Sequence, residues 1–398
     1  MELSHRVQAI KESPTLAITA KAQKLKAEGR DVVALAAGEP DFDTPEHIKA
    51  AAIAAIQNGF TKYTPVSGTP GLKNAIIAKF KRDQGLDYTA KQVLVSCGGK
   101  QSFYNLCQAY LNQGDEVIIP APYWVSYPDM VILAEGKPVI VECGIEQGFK
   151  LSPAQLAAAI TPRTKLVVLN SPSNPTGAVY TLAELKALGE VLKQHPKVLI
   201  ASDDMYEHVM LGDTSFANIL NACPELYPQT IVLNGVSKAY SMTGWRIGYA
   251  AGPEWLIKAM ENIQSQSTSN PTSISQVAAE AALNGPQADC FAPMLAAFNA
   301  RHEFVLSAFN AIRGLKCLRA GGAFYAFVDA REAIQNLHRE GKLAAPTDLA
   351  LGSYLLEAQD VAVVPGSAFG AEGYFRISFA TSMANLEKAL ARIASALN

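Results

Sequence analysis

Residues 165–203 read KLVVLNSPSNPTGAVYTLAELKALGEVLKQHPKVLIASD. Two apolar runs, KLVVLN (165–170) and VLIASD (198–203), enclose a loop and a stretch with apolar residues at helical spacing. The runs are apolar on successive residues, so both faces of each strand need cover. That pattern predicts a strand–helix–strand unit of a parallel sheet. The rhythm recurs on either side. VLVS (93–96) precedes KQSFYNLCQAYL, EVIIP (116–120) precedes WVSYPDMVILAEG, and PVIVEC (138–143) precedes SPAQLAAAI. IVLNGVS (231–237) and RIGYAAG (246–252) follow. The seven runs predict an α/β domain over 46–290, with a mostly parallel seven-stranded sheet covered by helices.

Beyond that stretch the order changes. CFAPMLAAFNARHEFVLSAFNAI (290–312) reads as one long helix, followed by strand-like GAFYAFVDA, AVVPG and YFRISFA and a terminal helix, NLEKALARIASAL. A smaller α+β domain is expected over 291–398. Residues 1–45 hold no strand large enough for a core of their own, and are expected to form an arm and a segment docked on the smaller domain.

The chain has 398 residues, 49% hydrophobic and 18% charged, which is globular rather than disordered composition. Its 34 Lys and Arg against 36 Asp and Glu leave a net charge of −2, with no basic field for nucleic acid. No apolar run reaches the roughly 18 residues that span a bilayer. The N-terminus is charged throughout and lacks the apolar core of a signal peptide. The six cysteines are scattered and pair in no metal-binding spacing, which suits reduced thiols in the cytoplasm.

In a doubly wound sheet, ligands sit beyond the carboxyl ends of the strands. Chemically capable residues cluster there. SCGGKQS (96–102) joins a strand to a helix, and its amides could cup a phosphate; a Gly-Gly turn is the plainer reading. APYWVSYP (121–128) offers the flat face of Trp124, or a packed core aromatic. NSPSNPTG (170–177) holds two X-Pro bonds, one of them a candidate for cis, and places a second amide at Asn174. In ASDDMYEH (201–208), Asp203 ends an apolar strand, where a carboxylate needs a cation or serves as a helix cap. Adjacent strand residues face opposite ways, so Asp203 and Asp204 are not a paired-carboxylate site. In NGVSKAYSMTGWRIGYA (234–250), Lys238 ends a strand between Ser237 and Arg246. A lysine drawn into a site beside another cation loses basicity and becomes a nucleophile. In GYFRISFA (373–380), Arg376 is embedded in an apolar strand, where its guanidinium needs a carboxylate partner, from a ligand or from an internal ion pair. An anion cup, an aromatic face, an amide, an aspartate, a lysine and a separate arginine together describe a pyridoxal phosphate site.

The run SKAYSMTGWRIG (237–248), with AAGEPDFDTP (36–45), TKYTPVSGTPGL (61–72), GAFY and FRISFATS, resembles the class I, fold-type I aminotransferases. Within them it resembles the bacterial subgroup Iγ aspartate aminotransferases, over nearly the whole chain. The resemblance implies Lys238 as the Schiff-base lysine and proton carrier, and Asp203 as the partner of the pyridine nitrogen. It implies Asn174 and Tyr206 on the phenolic oxygen of the cofactor and Trp124 stacked on its ring. Gly99, Lys100, Gln101, Ser237 and Arg246 form the phosphate cup, and Tyr63 joins it from the other subunit of a homodimer. Arg376 and Gly38 hold the substrate α-carboxylate end. Thr15 and Lys100 match residues for a distal carboxylate, and Lys11 a position associated with prephenate; for Thr15 and Lys11 a place on an exposed arm stays open. The implied reaction moves an amino group between an L-amino acid, aspartate first, and 2-oxoglutarate. Prephenate, aromatic amino acids or kynurenine, or a lyase reaction on the same cofactor, are the alternatives. A regulator with a DNA-binding module is disfavoured by the roughly 30 residues before AAGEPDFDTP, and a nicotinamide dehydrogenase by the absent glycine fingerprint.

Overall fold

The computed structural model describes residues 2–10 and 14–397, the side chains of 14–16 excepted. Its main sheet has seven strands in the order Val93–Ser96, Gly248–Ala251, Thr230–Gly235, Leu199–Asp203, Thr164–Asn170, Glu116–Ala121, Lys137–Glu142. All neighbours pair in parallel except Gly248–Ala251, which is antiparallel to both of its own. The exception has a local cause. Parallel neighbours need a long crossover, usually a helix. Between Gly235 and Gly248 the chain forms only the short 3₁₀ turn Thr243–Trp245, and it returns antiparallel.

Alternating strand residues enter two cores. Val93, Val95, Val167, Leu169, Ile200 and Val232 pack on one face; Leu94, Leu166, Val168, Leu199, Ala201, Ile231 and Leu233 pack on the other. That double burial is why both alternating sets of residues in these strands are apolar. Between strands, local chemistry starts the helices. At Leu182–Leu192, Thr181 and Glu184 form a capping box, with Glu184 N–H on Thr181 Oγ1 at 3.2 Å and Thr181 N–H on Glu184 Oε2 at 2.8 Å.

The helix Gln287–Ala311 runs from this body into a second core. Cys290 and Phe291 pack against the first core, while Met294, Phe298, Val305 and Phe309 belong to the second. The expected boundary at 290/291 falls inside this helix. The second core covers an antiparallel sheet in the order Val364–Pro365, Tyr374–Ser378, Tyr325–Asp329, Lys316–Cys317. Val33–Ala34 pairs in parallel with Val361–Ala362, which ties the N-terminal segment to this part. Among the described residues no helix is long and apolar enough to cross a membrane.

Candidate active site

The loops after five parallel strands open on one edge of the sheet. The antiparallel strand begins at that edge, so Arg246, just before it, arrives there too. Together with the 36–39 segment and the Tyr374–Ser378 strand they enclose a cleft of about 430 Å³. That is within the usual range for a small-molecule site.

One end of the cleft is made of backbone. Gly98, at φ +89°, turns the chain into the helix Gly99–Tyr110. A Cβ on Gly98 would lie 2.2 Å from the Arg246 guanidinium, and one on Gly248 would lie 2.2 Å from the Gly99 nitrogen. The two glycines let helix start, strand and guanidinium close on one point. Arg246 itself adopts φ +56° and donates to Thr243 O at 2.8 Å and Cys97 O at 3.3 Å. Ser237 is buried beside it on the cleft wall.

In the middle lie Asp203 and Lys238. Asp203 Oδ2 accepts from the Tyr127 hydroxyl, and Oδ1 from Met205 N–H at 3.2 Å. Burial pushes the Asp203 carboxyl up, against the Tyr127 hydrogen bond that pulls it down. Asp204 points the other way, accepting from Ser202 Oγ at 2.7 Å and Asn218 Nδ2 at 3.1 Å. Lys238 is partly buried, and its Nζ donates to Gly38 O at 2.6 Å. Desolvation in the cleft lowers its ammonium to about 8; Glu39 opposes the shift, while Arg376 and Arg246 add to it. Trp124 lines the wall with its ring edge-on to Tyr127, centroids 5.2 Å apart. Lys100 Nζ stands 5.2 Å from the Trp124 ring, with its ammonium lowered by burial and by Arg246.

The far end belongs to Arg376, only 3% exposed. Its strand places it between Phe327 and Val364 on either side. Nη1 donates to Asn174 Oδ1 at 2.9 Å and Nη2 to Ala36 O at 2.6 Å, while Nε has no partner. Among the described residues no carboxylate pairs with this guanidinium, so the internal ion pair is not what occupies it. Burial lowers its pKa.

The structure thus brings Gly38, Gly99, Lys100, Trp124, Asn174, Asp203, Tyr206, Ser237, Lys238, Arg246 and Arg376 to one cleft. Gln101 is turned away: its Oε1 accepts from Cys97 N–H at 2.6 Å and its Nε2 donates to Thr268 Oγ1 at 2.7 Å. Tyr63 stands outside the cleft and is 92% exposed. Lys11 and the Thr15 side chain lie outside the described residues. Both X-Pro bonds of NSPSNPTG are cis, as is Ala121–Pro122. Two tyrosines that sequence reasoning passed over reach the site, Tyr127 on Asp203 and Tyr325 on Tyr206. Each sits inside a motif quoted above, but an aromatic in an apolar run carries no sign of what its hydroxyl meets.

Residues 30–393 match the family model for aminotransferases of class I and II. An aspartate/prephenate aminotransferase of Nitrosomonas europaea is 64% identical over 398 residues, the whole of both chains. Among solved structures, the aspartate aminotransferase of Rhizobium meliloti superposes with a TM-score of 0.94 at 49% identity, over 100% of this chain and 99% of that one. The aspartate aminotransferase of Thermus thermophilus with maleate gives 0.92 at 46%, over 100% of both. Class I aminotransferases use pyridoxal phosphate, and this cleft fits that group on its own chemistry. A glycine cradle that any Cβ would fill sits beside a guanidinium, an amine lies between, and a partly buried carboxylate faces the same space. The agreement of fold, donor set and full-length similarity is why the chain is assigned to the class I and II aminotransferases, enzymes that work with pyridoxal phosphate.

Proposed function

We propose that this chain moves the amino group of L-aspartate to 2-oxoglutarate. One observation carries the reading of the substrate end: Arg376 is a buried guanidinium with a free Nε and no carboxylate of its own, in the same cleft as Lys238. A planar fork of that kind suits the α-carboxylate common to all amino acids. Gly99, Ser237 and Arg246 would hold the cofactor phosphate, with the backbone of Gln101 and the partner-donated Tyr63 beside them. Asp203 would keep a proton on the pyridine nitrogen, Asn174 and Tyr206 would bond the phenolic oxygen, and Trp124 would cover the ring. When bound, pyridoxal phosphate supplies a carbonyl that links to amines and a ring that withdraws electrons from the substrate α-carbon. Lys238, whose ammonium is lowered to about 8, is in part a free base near neutral pH and serves to move the α-proton. Gly38 O, which accepts from Lys238 Nζ, fixes where that amine points.

The distal carboxylate of aspartate or 2-oxoglutarate is read by Lys100 and Thr15. Prephenate is a second acceptor of the same site, favoured by the name of the 64% identical relative and by Lys11. A homodimer belongs to this reading: Ile53, Ile56 and Phe60 are exposed near Tyr63, an apolar surface suited to a second copy. So do a cytoplasmic setting and the division into an arm (1–45), a cofactor domain (46–290) and a smaller domain (291–398).

The test is kcat/KM for aspartate, glutamate, alanine and phenylalanine in two variants at saturating cofactor. Arg376→Ala should depress all four donors alike. Lys100→Ala should depress aspartate and glutamate by roughly 10–100-fold, as expected for a charged contact of about 1.5–3 kcal/mol, and spare the neutral donors. Equal losses for all four in Lys100→Ala would assign that lysine to the cofactor and remove the main support for aspartate.

A further inference from the structure

The hydroxyls of Tyr206 and Tyr325 lie 2.8 Å apart, both buried, Tyr206 in the turn after the main-sheet strand Leu199–Asp203 and Tyr325 in a strand of the smaller sheet. Tyr325 is a strand residue opposite Ser378, two residues from Arg376, and the Arg376 guanidinium carbon stands 4.5 Å from its ring centroid. Its hydroxyl reaches the underside of the 36–39 segment, where a Cβ on Gly38 would meet it at 2.7 Å. A phenol has one proton to give and lone pairs to receive with. Of two facing phenols, one must donate.

On the reading that Tyr206 faces the phenolic oxygen of the cofactor, we propose that Tyr325 is a positioning residue: it donates to Tyr206 and so commits the Tyr206 proton to the cleft. With an oxygen anion in front of it, Tyr206 donates forward and can only accept from behind. Tyr325 is the group behind it. Arg376 over the Tyr325 ring favours electron density on that ring and makes its hydroxyl the stronger donor. A donor that is itself hydrogen-bonded gives a stronger bond onward. The groups facing Tyr206 are Tyr325 and Arg376 from the smaller sheet, Asp203 from the main sheet, Tyr127 from the start of the helix Tyr127–Leu133, and Lys238, 5.9 Å from its ring. Of these, only Tyr325 shares a hydrogen bond with its hydroxyl among the described residues.

The readout is the visible band of the holoenzyme, whose pH midpoint reports how firmly the phenolic oxygen holds the proton on the nitrogen that Lys238 contributes. Hydrogen bonds to that oxygen loosen its hold and lower the midpoint. Tyr325→Phe keeps the ring beneath Arg376 and deletes the hydroxyl alone. It should raise the midpoint by about 0.3–0.6 pH unit. In a Tyr206→Phe background the same substitution should move it by less than about 0.1 unit, because the path runs through Tyr206. A merely structural role would lower the melting temperature and leave the midpoint in place. No shift in the Tyr325→Phe holoenzyme, or the same shift without the Tyr206 hydroxyl, would overturn the proposal. A wild-type chain with cofactor bound but no pH-dependent band would instead overturn the reading of the cofactor site on which it rests.

Discussion

Asp203 and Asp204 are neighbours in sequence and open onto opposite kinds of environment. On the cleft side of the sheet, Asp203 meets one tyrosine and one amide, Arg376 keeps a free Nε, and Lys238 holds only a carbonyl. On the other side, Asp204 bonds Ser202 and Asn218, Asn218 bonds Gln84, and Gln84 donates to Glu207. Glu207 also accepts from Asn234 at 2.7 Å and pairs with Lys79, which lies 3.7 Å from Asp83. Behind the sheet, polar groups satisfy one another. In front, they wait for a ligand. The same residue types therefore serve stability on one face and chemistry on the other, and only their partners tell which.

That contrast can be broken most directly at its two centres. Asp203→Asn keeps an acceptor for Tyr127 but loses the charge, so the apo chain should stay folded while kcat falls by roughly 10²–10⁴-fold, from a lost charge pair of about 3–5 kcal/mol. Near-normal turnover would reduce Asp203 to a cap on the Met205 turn. Lys79→Met should do the reverse. It leaves Glu207 buried without its cation and should cost about 3–5 kcal/mol in denaturant unfolding, with kcat per folded molecule within about threefold of wild type. A large kcat loss at unchanged stability would show that the rear network is part of the chemistry.

A smaller effect sharpens the comparison. The Lys238 ammonium is lowered to about 8 in the folded chain against an ordinary 10.5. Between those values the unfolded chain binds more protons, so apo stability should rise with pH across that window and the cost of Lys238 should be complete below pH 8. Allowing for partial exposure, the rise is about 1–2 kcal/mol. Urea unfolding of apo wild type and Lys238→Ala at pH 7.5 and 10 measures it. The variant should be the more stable at pH 7.5, with the gap closing at pH 10. A constant gap would mean the cleft does not strain this amine.

The sheet was readable because burial on both faces leaves its mark on successive residues of strands such as Val93–Ser96 and Leu199–Asp203. So were the charged residues that close or interrupt apolar runs, since Asp203 at the end of its strand, Lys238 just past another and Arg376 in the middle of a third stand where a charge is costly. The antiparallel direction of Gly248–Ala251 was not readable from the strand, since it depends on the loop that precedes it. Tyr127 and Tyr325 were hidden for a different reason. Their rings satisfy the apolar pattern, and the hydroxyls that matter meet residues 76 and 119 positions away. Gln101 shows the converse: its motif marks it as part of the cup, but its side chain is spent on holding Cys97 and Thr268 in place.

The crossing of Gly248 beneath Gly99 bears on how such a protein can change over generations. At 2.2 Å from a backbone nitrogen, no side chain of any kind fits there without moving the chain. The floor of the cleft is written in main chain, and single substitutions have nothing to adjust in it. The rim is written in side chains such as Lys100, which can be exchanged singly. Variation in such a lineage is thereby steered toward what the enzyme accepts and away from how it holds its cofactor.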